Sequence, residues 1–428
     1  MDKFKSLDKA LDYLYELRLN VPRLGLTRMN SFLKFMDSPE KKFQSILVAG
    51  TNGKGSVSNF LFNALKENGI KTGIYLSPHV IKFNERIQTD KGMISNKELL
   101  QEINFIHKKM TESKIPLTFF EFTTAMAISF FAKKKIKVAV LEVGLGGRLD
   151  ATNVVQKPLA SVITTISLDH QEFLGNSLKK IAGEKAGIIK KNSVVVIGEK
   201  NLSLQKLFEK KARKLNSKIF LAGKDFSFKP LTAGIQKQRM SYKFQNISLK
   251  PKISLIGKHQ RLNASTALTT MLVLSKKLGL TEKKILSGIK KTKFIGRFQI
   301  LRKNPLLIAD VAHNPHGTKL LVQSVQELFP KKKFSVVFGC SSDKNCKKML
   351  EYLVPLADEF VLSRAEYRGQ NPLKLKKFLK KINSRVKIST APHSDLIRIP
   401  KKDTLITGSI FFVGELIAHN PKFRYFRR

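Results

Sequence analysis

The stretch Ala49-Gly50-Thr51-Asn52-Gly53-Lys54-Gly55-Ser56 concentrates residue types that grip an anion. Gly50, Gly53 and Gly55 let backbone N–H groups approach without a Cβ in the way, and Lys54 supplies a mobile cation. Ser56 offers a hydroxyl to a phosphate oxygen or to a metal held by one. The stretch follows the apolar run Ile46-Leu47-Val48 and leads into residues 57–65, whose apolar spacing is helical. Strand, glycine-rich turn and helix is the context in which such a motif binds phosphate, so ATP is the expected ligand. The pattern is not the strict one: Gly55 separates Lys54 from Ser56, and position 48 lacks a glycine.

Other reactive groups fall at the ends of expected strands. The strand 137–142 ends in Glu142, and ligands of open α/β sheets sit at strand carboxyl ends. A carboxylate there, beside a phosphate loop, is a natural magnesium partner. The strand 71–76 ends at Ser77-Pro78-His79, and 160–166 leads to Asp169-His170. Ser77, Glu142 and His170 are therefore expected on one sheet edge, although a lone histidine is more often structural. Asn84, Glu85 and Arg86 make a polar loop, and Asp310 precedes the cluster His313-Asn314-Pro315-His316.

The elements that must position these groups read as α/β. Helical spacing covers residues 3–19, 30–36, 96–110, 178–189, 202–215 and 259–278, with 24–29 a loop. An apolar helix runs from Thr118 to Phe131; its Phe119 and Phe120 read as core more readily than as a ligand box. Short alternating stretches suggest a small β insertion at about 217–258. A boundary near 291–297 divides the chain into 1–295 and a smaller domain, 296–428. In the latter, strands at 306–311, 334–338, 360–362, 386–389 and 404–407 alternate with helices starting near 315, 345, 372 and 410, a parallel-type sheet.

With 428 residues, 42% hydrophobic and 26% charged, the composition is that of a globular protein of two domains. There is no apolar run of membrane-spanning length, and the charged start lacks a signal-peptide core. Cys340 and Cys346 offer neither a disulfide framework nor a four-thiolate site, so both are expected as free thiols in a cytoplasmic protein. A net charge of +47 would suit nucleic acid, a membrane surface or an acidic substrate. Its lysines are scattered rather than gathered in an aromatic-studded patch, which favours a solvated surface over specific nucleic-acid binding.

Taken together, the ordered motifs resemble the folylpolyglutamate synthase/dihydrofolate synthase family of the Mur ligase superfamily. They are Gly50–Ser56, Ser77-Pro78-His79, Phe83–Ile87, Phe119–Thr123, Leu141–Asn153, Leu168-Asp169-His170, Glu184–Ile188, Gly296–Gln299 and Ala312–Gly317. The resemblance implies a P-loop-containing Mur-ligase-like domain followed by a Rossmann-like glutamate-ligase domain. It further implies ATP-driven joining of L-glutamate to a folate carboxylate through an acyl phosphate. In that reading Gly50, Thr51, Asn52, Gly53, Lys54, Gly55 and Ser56 take the nucleotide phosphates. Asn263, with Gln260, lies near adenine or ribose. Arg297, Asp310 and His313 face phosphates or the incoming glutamate. Ser77 and Glu142 hold one Mg²⁺, and His170 completes a site for a second. Lys185 matches a lysine that carries a CO₂-derived carbamate in the family. Arg28, Phe119, Phe120, Asp150 and Ala151 fall on the pterin side. The resemblance implies a monomer acting on small molecules, with no membrane and no specific nucleic-acid partner.

Four positions in three places depart from the family's pattern: Phe294-Ile295 in place of Trp-Pro before Gly296-Arg297, Val311 in place of Gly, and Asn345 in place of an acidic residue. Two other readings compete, a Mur-type ligase of cell-wall precursors and a nucleic-acid-dependent P-loop ATPase. The segments 77–79 and 83–87 favour the folate branch over the first, and the absence of a basic, aromatic-lined stretch disfavours the second.

Overall fold

The computed structural model describes residues 3–17, 25–397 and 402–419. Helices α1 (Leu7–Glu16) and α2 (Thr27–Phe35) precede the first strand. Ser6 caps α1, its hydroxyl accepting from the Lys9 N–H, so the helix starts at Leu7 rather than at residue 3; residues 18 and 19 lie outside the described residues. The expected loop at 24–29 is helical from Thr27, and Leu24 lies outside the described residues.

Eight strands form the main sheet: β1 (Gln44–Ala49), β2 (Thr72–Tyr75), β3 (Ile87–Thr89), β4 (Gly92–Met93), β5 (Val138–Glu142), β6 (Ala160–Ile163), β7 (Val194–Ile197) and β8 (Lys218–Leu221). Their order is β4-β3-β2-β5-β1-β6-β7-β8, parallel from β2 to β8 with an antiparallel hairpin, β3–β4, at one edge. The central strands are continuous apolar runs because helices cover both faces. Those helices are α3 (Lys54–Glu67), α4 (Asn96–Ser113), α5 (Phe119–Lys133), α6 (Gln171–Leu174), α7 (Leu178–Lys185), α8 (Leu202–Lys214), α9 (Lys258–Leu278) and α10 (Glu282–Lys291). Capping boxes start two of them: Ser95 with Glu98 at α4, and Thr118 with Glu121 at α5.

The insertion is shorter than its sequence suggested. β8 pairs in parallel with β7, so it closes the main sheet, and the inserted sheet begins only at β9 (Phe226–Thr232). It continues through β10 (Gln238–Phe244), β11 (Ile247–Leu249) and β12 (Lys252–Ile253). Met240, Tyr242 and Phe244 on one face of β10 are buried with Leu268 and Met271 of α9 in one core, while Tyr242 Oη lies 2.7 Å from Thr269 Oγ1.

The second sheet contains β13 (Gln299–Lys303), β14 (Leu306–Ala309), β15 (Phe334–Phe338), β16 (Ala357–Leu362), β17 (Lys387–Thr390) and β18 (Thr404–Thr407), in the order β13-β14-β18-β15-β16-β17. It is mixed rather than all parallel: β13, whose half-buried residues show no alternation, runs antiparallel to β14 at the edge. Helices α11 (Pro315–Leu328), α12 (Cys346–Leu353), α13 (Pro372–Ile382) and α14 (Ile410–His419) complete the chain. Cys340 and Cys346 are not free thiols: they form a disulfide with Cα atoms 6.0 Å apart. Seven residues, 339–345, separate the end of β15 from the start of α12 in one tight loop, which is what brings the two sulfurs together. Among the described residues no helix is long and apolar enough to cross a membrane.

Candidate active site

The carboxyl ends of β1, β2, β5 and β6 converge with the loop after β14. Helix α3 starts at Lys54, so its first N–H groups have no acceptor within the helix and face the glycine turn. That turn is held from the β6 side. Thr51 N–H donates to Thr165 O at 2.8 Å, and Thr164 Oγ1 donates to Asn52 O at 2.7 Å. Two glycines are required sterically. At Gly50 (φ 148°) a Cβ would collide with Thr164 Oγ1, and at Gly53 (φ 91°) it would stand 2.5 Å from Asn263 Oδ1. Lys54 folds back, its Nζ 3.3 Å from Thr51 O, a weak tether that leaves the ammonium available to an anion.

Glu142 ends β5 fully buried, and the Ser77 N–H donates to its Oε2 at 3.2 Å. Burial raises its carboxyl pKa, opposed by the charges of Lys54 and Arg297. Among the described residues no cation pairs with it within 4 Å. A buried carboxylate with a neighbouring hydroxyl, Ser77, is a hard oxygen pair that fits Mg²⁺ sharing its remaining positions with water and phosphate. No three His, Cys, Asp or Glu side chains among the described residues form a ready-made metal cage.

His170 stands across the cleft. Its side chain is 40% exposed, and Lys344 Nζ lies 3.4 Å from Nε2. Partial burial and the neighbouring Lys344 and Lys54 charges lower its pKa to about 4, so the ring is neutral at pH 7. Asp169 beside it lies below the usual carboxylate range. Burial opposes that shift, and at neutral pH the cation holding the carboxylate down is Lys344, at 2.7 Å. Lys185, on α7, is buried, and desolvation with the Lys54 charge lowers its pKa to about 7.

From the second sheet, Asp310 accepts the N–H groups of Phe298 and Ala312, both at 2.8 Å. Burial raises its pKa against the opposing charge of Arg297. Arg297 is lowered by burial against Asp310 and Glu142, and its guanidinium lies over the Phe294 ring at 4.8 Å. His313 is lowered to about 4 by burial, with Nδ1 3.0 Å from Val311 O. Asn263 donates to Gln260 Oε1 at 3.0 Å, and both border the phosphate cleft beside His259.

A second cavity of about 370 Å³ opens next to the first and is mainly apolar. Phe119 and Phe120 wall it, with the Arg86 guanidinium 5.4 Å from the Phe119 ring centroid. Ser77, Pro78, Gly144, Leu145, His170 and His313 border both cavities, so the two are continuous. Asp150 and Ala151 line the apolar cavity, but the Asp150 carboxylate accepts from the Gly144, Leu145 and Thr152 N–H groups and from Thr152 Oγ1. Those four bonds shape the loop rather than leave oxygens for a ligand. Arg28 does not line the cavity; its Nη2 pairs with Glu121 at 2.9 Å, and Glu121 does line it.

Contacts that the sequence did not announce join the halves. Asn52 and Asn314 exchange amide bonds at 3.3 and 3.1 Å, Asn314 donates to Asp169 Oδ2 at 2.9 Å, and Lys344 reaches Asp169.

A glycine-turn nucleotide site facing a second α/β sheet across a cleft defines an ATP-dependent ligase of the Mur type. The Mur ligase middle domain matches residues 48–271, and the Mur ligase glutamate ligase domain matches 296–407. The dihydrofolate synthase/folylpolyglutamate synthase of Haemophilus influenzae is 34% identical over 384 residues, 85% of this chain and 84% of that one. The crystal structure of folylpolyglutamate synthase from Thermotoga maritima is similar at TM-score 0.83 and 34% identity, covering 95% of each chain. A bifunctional folylpolyglutamate synthase/dihydrofolate synthase with Mn, AMPPNP and L-glutamate bound matches at TM-score 0.83 and 29% identity, over 97% of this chain and 98% of that one. The chain belongs to the Mur ligase family, in its folylpolyglutamate/dihydrofolate synthase branch.

Proposed function

We propose that the protein joins L-glutamate to the carboxylate of a pteridine acid at the expense of ATP, making dihydrofolate from dihydropteroate, lengthening the glutamate tail of tetrahydrofolate, or both. The observation that carries this reading is the shared rim. A flat ring lying against Phe119 and Phe120 would extend its acid group past Pro78 and Leu145 toward Lys54 and the glycine turn. A carboxylate is a poor electrophile, so its oxygen attacks the γ-phosphorus of ATP and ADP departs, leaving an acyl phosphate. The amine of glutamate then attacks the acyl carbon, phosphate leaves, and one proton is lost from nitrogen.

The chain's own groups meet the electrostatic need of the first step, in which two anions must approach. Lys54 and the α3 N-terminus neutralise the transferring phosphate. Arg297, whose charge Asp310 opposes, faces the same cleft from the second sheet. His313, neutral at pH 7, stands at the rim where the amine must lose its proton. Asn263 and Gln260 border the space for the nucleoside, and Gly50 to Ser56 the phosphates.

Ser77 and Glu142 are the groups that would hold Mg²⁺, which supplies charge neutralisation and polarises the phosphate. His170, together with a carbamate on Lys185, would provide for a second ion. A lysine with a pKa near 7 presents a neutral amine, which adds to CO₂ with loss of a proton to give the anionic carbamate. We take the halves to divide at 295/296 and the enzyme to act as a cytoplasmic monomer. The test is ATP turnover with a panel of dihydropteroate and reduced folates plus labelled glutamate. Label is expected in the pteridine product. Turnover only with a cell-wall precursor, or only with DNA or RNA, would overturn the assignment.

A further inference from the structure

The loop from Cys340 to Cys346 carries a lysine of one half to a carboxylate of the other and is closed at its base by a covalent bond. From β15 the chain runs through Cys340, turns over Ser341 to Asn345, and enters α12 at Cys346. Within the turn, the Lys344 N–H donates to Ser341 O at 3.1 Å and the Cys346 N–H to Lys344 O at 2.8 Å. The turn is tied to the neighbouring segment by Ser342 N–H to Arg368 O and Gln370 N–H to Cys340 O, both 2.8 Å. From its tip Lys344 Nζ reaches Asp169, 2.7 Å away, with both side chains about one-tenth exposed. That pair, like Asn314–Asp169, closes the cleft over the phosphate turn.

We propose that Cys340 and Cys346 are a thiol–disulfide exchange site whose oxidised form fixes Lys344 in reach of Asp169, so that the redox state of the pair sets how firmly the two halves close. The co-reactant is a small thiol and its disulfide, of the glutathione class. In reduction a thiolate attacks Cys340 Sγ, the S–S bond breaks, and Cys346 leaves as thiolate in the first turn of α12, at the positive end of the helix dipole. A second thiol displaces the first from the mixed disulfide. The balance is one protein disulfide and two thiols giving two protein thiols and one small disulfide. Both cysteines are nearly fully buried, so exchange requires the loop to lift, and lifting it withdraws Lys344. A pair that oxidises reversibly is also the kind found in compartments where permanent disulfides are rare.

The kinetic readout rests on the ligase reading, whereas thiol counting and the shape of the molecule do not. The full chain is equilibrated in reduced or oxidised glutathione, and its thiols are counted by alkylation and intact mass. Two alkylated cysteines are expected in the first and none in the second. The oxidised form is expected to be the more compact by small-angle scattering with nucleotide bound. Its KM for the amine substrate should be lower by about fivefold, the low end of ordinary coupling between sites, with kcat less affected. Cys340→Ser/Cys346→Ser and Lys344→Ala should each abolish the dependence of KM and scattering on glutathione, while Lys344→Ala keeps the wild-type thiol counts. Alkylation of both cysteines in either buffer, or equal scattering and equal KM in the two wild-type redox states, would overturn the proposal. If the double variant fails to fold, the wild-type comparison decides alone.

Discussion

Asn52 and Asn314, 262 residues apart, exchange amide hydrogen bonds across the cleft at 3.3 and 3.1 Å. Asn314 is also the N-cap of α11, its Oδ1 accepting from the Gly317 N–H at 2.8 Å. The glycine turn is thereby joined to the start of a helix in the other half. Asn314→Ala should lower thermal stability by the loss of a cap, about 1 kcal/mol. It should reduce kcat/KM more than stability, because the halves no longer register. A double-mutant cycle with Asn52→Ala checks this: a coupling of about 0.5–3 kcal/mol is expected, and additive effects would show that the bridge is idle.

Lys54→Ala should lower kcat by about 10²- to 10³-fold, as removal of one preorganised donor to developing charge does. The fold should be intact, since among the described residues the Lys54 ammonium makes only the weak tether to Thr51 O. Circular dichroism and steady-state rates decide; near-normal kcat would dismiss the assignment.

Glu142→Gln should separate binding from stability. Burial raises the Glu142 carboxyl above its unfolded value, so its ionised form costs stability at pH values above the unfolded pKa. The metal-free variant should therefore melt at a higher temperature than wild type at pH 7. It should also need more magnesium for half-maximal rate. An unchanged magnesium titration would count against the ligand role.

Lys185 has a folded pKa near 7 against 10.5 for the ordinary side chain. Between these values the unfolded chain binds the extra proton, so this group makes stability rise with pH from about 7 toward 10.5. Thermal melts of wild type against Lys185→Met should converge as pH rises through that window. Labelled bicarbonate should give a carbamate ¹³C resonance that the variant lacks.

His259 and His313 are half-buried, and desolvation lowers both pKa values to about 4. Below the ordinary value of 6.5 the unfolded chain protonates first, so both groups make stability fall as pH drops from about 6.5 to 4. Replacing His259 with Gln should flatten the acid limb of a melting profile, and an unaltered limb would refute its neutral burial.

The sequence was most informative where chemistry is local. A glycine turn between a strand and a helix is specified by residues within about ten positions, and Gly50–Ser56 folds as its spacing demands. Glu142 was legible as the last residue of a buried run. Contacts between distant segments were not. Nothing near Asn52 announces Asn314, and nothing near Arg28, placed on the pterin side by the resemblance, announces its ion pair with Glu121. Cys340 and Cys346 were misjudged because two cysteines in a long chain suggest no framework, whereas a strand end and a helix start fold the segment between them onto itself. β8 was assigned to the insertion because a short edge strand carries no signal of which sheet it joins.

Helix α9 spans 21 residues, about 30 Å at 1.5 Å per residue. Gln260 and Asn263 occupy one end of that rod beside the nucleotide cleft, and Met240, Tyr242 and Phe244 of the inserted sheet roof its middle. The insertion is thus no detachable ornament. Trimming residues 226–253 would bare the oily flank of the beam whose far tip borders the cleft, and an excision remote from the reacting atoms would be felt first as a slackened hold on the nucleoside.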